Sequence, residues 1–248
     1  MHFLRRVKED GRTALQTPLI RLSNAKTGAA ATLVLTAHMA EPAYFDALRE
    51  RVRAANAPVY FEGVRAVSDE PDHWHERYHA LLRAIREDFY AEVASLGLLA
   101  FQGDHLQPEP YWRNADVTCC ALAERLRSAG VRTRQYNVAL QALRRLVRDA
   151  KAGRPEALRS LERLLKWGLV GLSFEFVLRV ARLFPNTRRF HAVVNDWRSE
   201  VAVETVLRAG EPDFVLLYGA AHGPPILDGL RKAGYRERSR EWVTLFRV

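Results

Sequence analysis

Three apolar stretches of the chain run into side chains that can move protons or bind a metal. AATLVLTAH (30–38) ends at His38, APVYFEGV (57–64) carries Glu62 just past its apolar run, and EPDFVLLYGAAH (211–222) ends in Gly219-Ala-Ala-His222. Two imidazoles and a carboxylate can hold Zn, Mn or Co and leave a position open for water. Such an ion polarises a carbonyl and lowers the pKa of its water. Without a metal, the same trio can run acid–base hydrolysis, with His38 or Glu62 as the base and a cation stabilising the oxyanion.

A competing candidate is HERYH, residues 75–79, a literal match to the H-E-x-x-H helix of zinc peptidases. On a helical wheel, Trp74, Tyr78, Leu81, Leu82, Ile85 and Phe89 form an apolar stripe, with His75 and His79 on its flank. Arg86 falls between the two histidines in angle, and a cation there opposes a dication. Leu82 and Ile85 stand where a metzincin helix continues with glycine and a third histidine. The motif reads better as a solvated helix flank.

For the three strand ends to meet, their strands must lie side by side and point the same way. Apolar strands alternating with helices predict an α/β fold: a mainly parallel central sheet with helices on both faces, ligands lying outside the strands' carboxyl ends. TPLIRLS (17–23) and AATLVLTAH, divided by the turn-prone NAKTG, predict an antiparallel N-terminal hairpin. Helices are expected over Ala43–Ala55, over ADVTCCALAERLRSAG up to Gly130, and over PILDGLRKAGY up to Gly234. GLLAFQ (97–102), VRTRQY (131–136), RRFHAVVND (188–196) and the final EWVTLFRV (241–248) read as strands, and QPEPYWRN as a loop. The whole chain, 1–248, reads as a single domain with a basic helical cap insertion at about 137–185.

The composition is that of an ordinary globular protein, 48% hydrophobic and 27% charged. No window approaches twenty uninterrupted apolar residues, so no spanning helix is expected. The start, MHFLRRVKEDGR, turns polar after four residues without a signal-peptide core, which makes a cytoplasmic location the expectation. Cys119 and Cys120 are adjacent and read as reduced thiols. The net charge of +9 is concentrated between Leu122 and Phe190, where sixteen Arg and Lys face five acids. A polyanion-binding face is one reading of that asymmetry and a solvated helix surface the other. No RNP-type sequence, zinc finger or Gly-rich nucleic-acid loop is present, which argues against nucleic acid as the partner.

The order TLVLTAH, helix, VYFEGV, then LLYGAAHGPPILDGLRKAGY resembles the TraB/Tiki family, within the wider erythromycin-esterase-like group. That family opens with a strand leading into G-x-x-H, continues with a strand ending in Glu, and closes with a second strand leading into G-x-x-H, a helix and a G-Y turn. GAAH (219–222), GLRKAGY and VYFEGV match these parts. AFQGDHLQPEPYWRNADVT resembles the family's glutamine and N-A-D segment, which puts forward Asp116 and, behind it, Gln102, Asp104 and His105. NDWRSEVAVETVL resembles the arginine-bearing helix start before the last motif, which puts forward Arg198.

The resemblance implies hydrolysis of a small-molecule or peptide substrate, by a metal-dependent peptidase or a metal-free esterase-like enzyme. It implies His38, Glu62, His222 and Arg198 as catalytic groups, the first three as ligands if a metal is bound. Asp116, Gln102 and Gly219 would bind substrate. Two departures stand out: the first motif reads Leu35-Thr36-Ala37-His38, without its glycine, and Ser199 stands where the family often has Asn or Asp. A non-catalytic regulatory or binding protein on the same fold is the alternative, and the lost glycine suits it.

Overall fold

A computed structural model of the chain describes residues 3–9, 11–65, 99–162 and 184–247, together with 78, 80, 81, 92 and 94–96. Its centre is a seven-stranded mixed sheet. Strand β1 (Arg5–Glu9) and the long β2 (Arg12–Asn24) form one hairpin, and β2 turns into β3 (Ala30–Thr36) to form the second. β1 and β3 share one edge of β2, and the C-terminal β9 (Tyr235–Arg247) runs antiparallel along the other. Beyond β3 the sheet is parallel. β8 (Asp213–Gly219) lies next to β3, then β5 (Val59–Phe61), then the short β7 (Arg113–Asn114). A separate two-stranded sheet pairs β4 (Met39–Ala40) with β6 (Ala100–Phe101).

Alternation along the strands feeds two cores. Val215 and Leu217 of β8 face one side with Val34 and Val59, against Tyr44, Phe45, Leu48 and Val52 of helix α1 (Pro42–Ala54). Phe214, Leu216 and Tyr218 face the other side with Leu33, Leu35 and Tyr60. They pack there against α7 (Arg198–Ala209) and α8 (Gly223–Lys232), through Ala202, Val203, Ile226 and Leu230. Each such Leu, Ile or Val removed from water contributes about 1.5–3 kcal/mol. The expected helices on both faces are therefore present, as is the antiparallel N-terminal hairpin.

The remaining helices are α2 (Gln102–His105), α3 (Cys119–Ser128), α4 (Arg134–Lys151), α5 (Pro155–Glu162) and α6 (Pro185–His191). Thr118 caps α3, its hydroxyl accepting the Ala121 N–H at 3.2 Å. Gly130 (φ +66°) and Gly234 (φ +97°) take the left-handed conformation that closes helices α3 and α8 as expected. Within the basic segment, α4 and α5 send Val147, Ala150 and Ala157 into the core that α1 covers. Residues 163–183, the rest of the expected cap, lie outside the described residues, as do His75, Glu76 and His79 of HERYH. Tyr78 of that motif is buried and its hydroxyl donates to the Val131 carbonyl at 3.0 Å.

Several expected strands are corrected. RRFHAVVND is helical: α6 starts with Pro185 in its first turn and passes through a π-helical stretch, Ala192–Trp197, straight into α7. Its short apolar run suits either period, and continuity with the amphipathic helix beyond it decides the matter. VRTRQY forms no strand, and α4 begins inside it at Arg134. Among the described residues of GLLAFQ, Ala100–Phe101 form a strand, and QPEPYWRN, expected as a loop, supplies the parallel strand β7. β1 and the first third of β2 were not expected, because RRVKE is an exposed edge strand without an apolar face. Among the described residues, no helix is long and apolar enough to cross a membrane.

Candidate active site

Parallel register brings four strand ends to one edge. Thr36 of β3 pairs with Gly219 of β8, Leu217 pairs with Phe61 of β5, and Phe61 pairs with Asn114 of β7. Immediately beyond these residues come His38, the turn Ala220–His222, Glu62, and the Asn114-Ala115-Asp116 element. The candidate residues scattered over 185 positions of sequence thus converge because their strands end level with one another.

Glu62 is held from three sides. Its Oε2 accepts the Gly219 N–H at 2.7 Å, and its Oε1 accepts an Arg198 guanidinium N–H at 2.9 Å. The same Oε1 lies 3.4 Å from His222 Nε2. Burial alone would raise its pKa, but the charges of His222 and Arg198 outweigh that and hold the carboxyl well below the usual range. Gly219 keeps this contact uncrowded, since a Cβ there would stand 3.1 Å from Glu62 Oε2.

Arg198 spans two carboxylates. Its Nε donates to Asp116 Oδ1 at 2.9 Å and its second guanidinium nitrogen donates to Asp116 Oδ2, a two-pronged contact, while also reaching Glu62. Arg198 is 6% exposed and Asp116 2%. Burial would lower the Arg198 pKa, yet Glu62 and Asp116 raise it further. Asp116 in turn accepts the backbone N–H groups of Gly63 (3.0 Å) and Val117 (2.8 Å). Asn114 donates to the Gly63 carbonyl at 2.6 Å and accepts the Asp116 N–H at 2.9 Å. These bonds fix the loop after β5 and so the direction of Glu62.

The two histidines differ. His222 is 3% exposed, stacks edge-on against Tyr218 at 5.3 Å, and has Nδ1 2.9 Å from the Ser199 hydroxyl. His38 is the exposed one of the two, with protein groups crowded around it. Burial lowers its pKa, opposed by the charge of Glu62 and by a hydrogen bond with Gln102. The Gln102 N–H also donates to the His38 carbonyl at 2.9 Å, so the start of α2 anchors this loop.

Of the sequence candidates, His38, Glu62, His222, Arg198, Asp116, Gln102 and Gly219 are gathered in this one network. His105 is elsewhere, stacked on Phe45 at a ring distance of 5.7 Å. Ser199 and Tyr218 belong to the network without having been singled out for it. The Tyr218 hydroxyl donates to the Ala115 carbonyl at 2.8 Å, and burial, with Asp116 and Glu62 close by, raises its pKa. Position next to Arg198 and Gly219 was the available signal for both, but it cannot tell which neighbour turns inward.

His222 Nε2 and Glu62 Oε1, 3.4 Å apart, have the spacing of two donors on one ion with bonds of about 2.1 Å. Arg198 already occupies that oxygen, and among the described residues no three of His, Cys, Asp or Glu surround one point closely enough to hold an ion. The side chains themselves can supply acid–base chemistry.

The basic segment does present cations on one side. Arg144, Arg145, Arg148 and Lys151 of α4 line an open groove of about 590 Å³, where Glu92 pairs with Arg144 at 3.2 Å. Arg145, Arg148 and Lys151 are exposed. Comparison of the chain with protein families, characterised proteins and solved structures found no match.

Proposed function

We propose that the protein is a cytoplasmic hydrolase of TraB/Tiki-like type, acting on a small-molecule or peptide substrate at the strand-end site. The observation that supports this most is the pairing of a solvent-open, pKa-lowered His38 with a buried His222 facing an ionised Glu62. Two like groups in environments that differ this much can take opposite parts in one proton cycle. His38, neutral near pH 7, accepts a proton from the attacking water. His222, with Nε2 towards the Glu62 carboxylate, delivers a proton to the leaving group, and Glu62 stabilises the imidazolium before it does so.

Glu62 is a poor base in this scheme, since its carboxyl is held well below the usual range and both oxygens are engaged. Arg198 has Nε and one terminal nitrogen committed to Asp116 and Glu62, so it orients the carboxylate more directly than it could meet an oxyanion. That same self-satisfied network is the observation favouring the alternative, a non-catalytic binding or regulatory protein on this fold.

An esterase and peptidase screen on the wild type, His38→Gln and His222→Ala, with metal analysis of each, tests the reading. Turnover that a chelator leaves intact and that both substitutions abolish is expected. A stoichiometric metal lost in His222→Ala would replace the acid–base scheme with a metal-dependent one. A folded wild type inert to every substrate would favour the regulatory alternative.

A further inference from the structure

We propose that Ser199 is a positioning residue that fixes the tautomer of His222, keeping the proton on Nδ1 and leaving Nε2 as the atom that exchanges protons with substrate. Its catalytic consequence rests on the hydrolase reading; the tautomer itself does not. The argument begins with the Ser199 hydroxyl, which has one hydrogen and two close neighbours. The Asn195 carbonyl oxygen lies at 2.5 Å and His222 Nδ1 at 2.9 Å. Two oxygens that close need a proton between them, and a carbonyl has none to give. The hydroxyl hydrogen therefore points at Asn195, and Ser199 meets Nδ1 with a lone pair. Only an N–H at Nδ1 satisfies that contact.

Among the described residues, the Ser199 hydroxyl has these two partners. Ser199 is 0% exposed and His222 3%, so the contact is shielded from bulk solvent. The π-helical stretch Ala192–Trp197 prepares the contact. The Asn195 carbonyl at its end accepts the Arg198 N–H and also the hydroxyl of Ser199, the second residue of α7, four residues on. The neighbouring carbonyl of Val194 is met in the same way by Arg198, at 3.4 Å. The same helix start thus carries both the arginine that binds Glu62 and the serine beside the imidazole.

With Nδ1 committed, the neutral ring carries its lone pair on Nε2, 3.4 Å from Glu62 Oε1. Two acceptors then face each other, and a proton on Nε2 is what reconciles them. In the hydrolytic cycle the water oxygen bonds to the carbonyl carbon and its proton goes to His38. The bond to the leaving group then breaks with the Nε2 proton moving onto that group. Solvent returns the proton from His38 to His222, while Nδ1 stays protonated throughout. Remove the Ser199 oxygen and Glu62 becomes the acceptor within reach of a neutral ring, so the proton moves to Nε2 and the ring loses its free lone pair there.

The test is nitrogen NMR on protein labelled with ¹⁵N-histidine, with His222→Ala used for assignment, followed up in pH until the His222 ring is neutral. The wild type is expected to show Nδ1 as the protonated, pyrrole-type nitrogen and Nε2 as pyridine-type. Ser199→Ala should exchange the two, and Ser199→Thr, which keeps a hydroxyl, should retain the wild-type pattern. A wild type with the proton on Nε2 overturns the proposal without any variant having to fold. An unchanged pattern in Ser199→Ala overturns it equally. On a hydrolysed substrate, kcat should fall about 10²-fold in Ser199→Ala with KM little changed, and recover in Ser199→Thr. Absence of any hydrolysis would sink the hydrolase reading alone, since the tautomer is read from the spectrum.

Discussion

Replacing Arg198 with methionine would test the buried network most directly. The substitution keeps an apolar stem of similar reach and removes the charge. It deletes the two-pronged contact to Asp116 and the 2.9 Å bond to Glu62. Asp116 and Glu62, with side chains 0% and 14% exposed, are then left without their cation. Breaking a buried pair in this way costs about 3–5 kcal/mol, a large part of the roughly 5–15 kcal/mol that holds a typical domain together. The cost has a definite pH dependence. In the wild type, the depressed Glu62 pKa contributes stability that is present above the unfolded value of about 4.5 and lost as pH falls through the folded pKa. Without Arg198 that depression shrinks, so the gap between wild type and variant should be widest above about pH 5 and narrow under acid. Urea denaturation of both proteins at pH 7 and pH 4 measures the gap. A loss under about 1 kcal/mol at pH 7, or one equal at both pH values, would refute the claim that this arginine neutralises two buried carboxylates.

Two further outcomes follow from the geometry. Gly219→Ala places a Cβ 3.1 Å from Glu62 Oε2 and forces the carboxylate to shift by a few tenths of an ångström. Thermal denaturation should show a loss of only about 1 kcal/mol, while turnover falls about ten-fold or more; unchanged turnover would remove Glu62 placement from the mechanism. The lowered His38 pKa makes the unfolded chain bind a proton before the folded one, so stability should decline as pH drops from about 6.5 towards the folded pKa. His38→Gln should flatten that slope, and the acid limb of the wild-type activity profile should lie below pH 6.5.

Much of the site was legible in the sequence because parallel sheets punctuate themselves. An apolar run buried on both faces must stop where the strand meets solvent, so a polar residue just past TLVLT, VYF or DFVLLY sits at a strand end. That placed His38, Glu62 and Gly219 to His222, and the helices between them required the strands to be parallel. The helix-closing glycines were equally plain, since positive φ suits residues without a Cβ.

Tertiary structure decided the rest. RRFHAVVND has an apolar centre that fits a strand or a helix, and only its continuity with α7 and its packing against α3 made it helical. The exposed β1 and the two-residue β7 have no periodicity of their own and exist because β2 and β5 offer them open edges. Strand order and level ends made neighbours of Glu62, Asp116 and Arg198, and that contact, invisible in a linear chain, sets the charge of the site. Ser199 shows the division most clearly: the sequence supplies a hydroxyl beside an arginine, but which atom accepts its proton depends on a carbonyl and an imidazole brought to either side of it by folding.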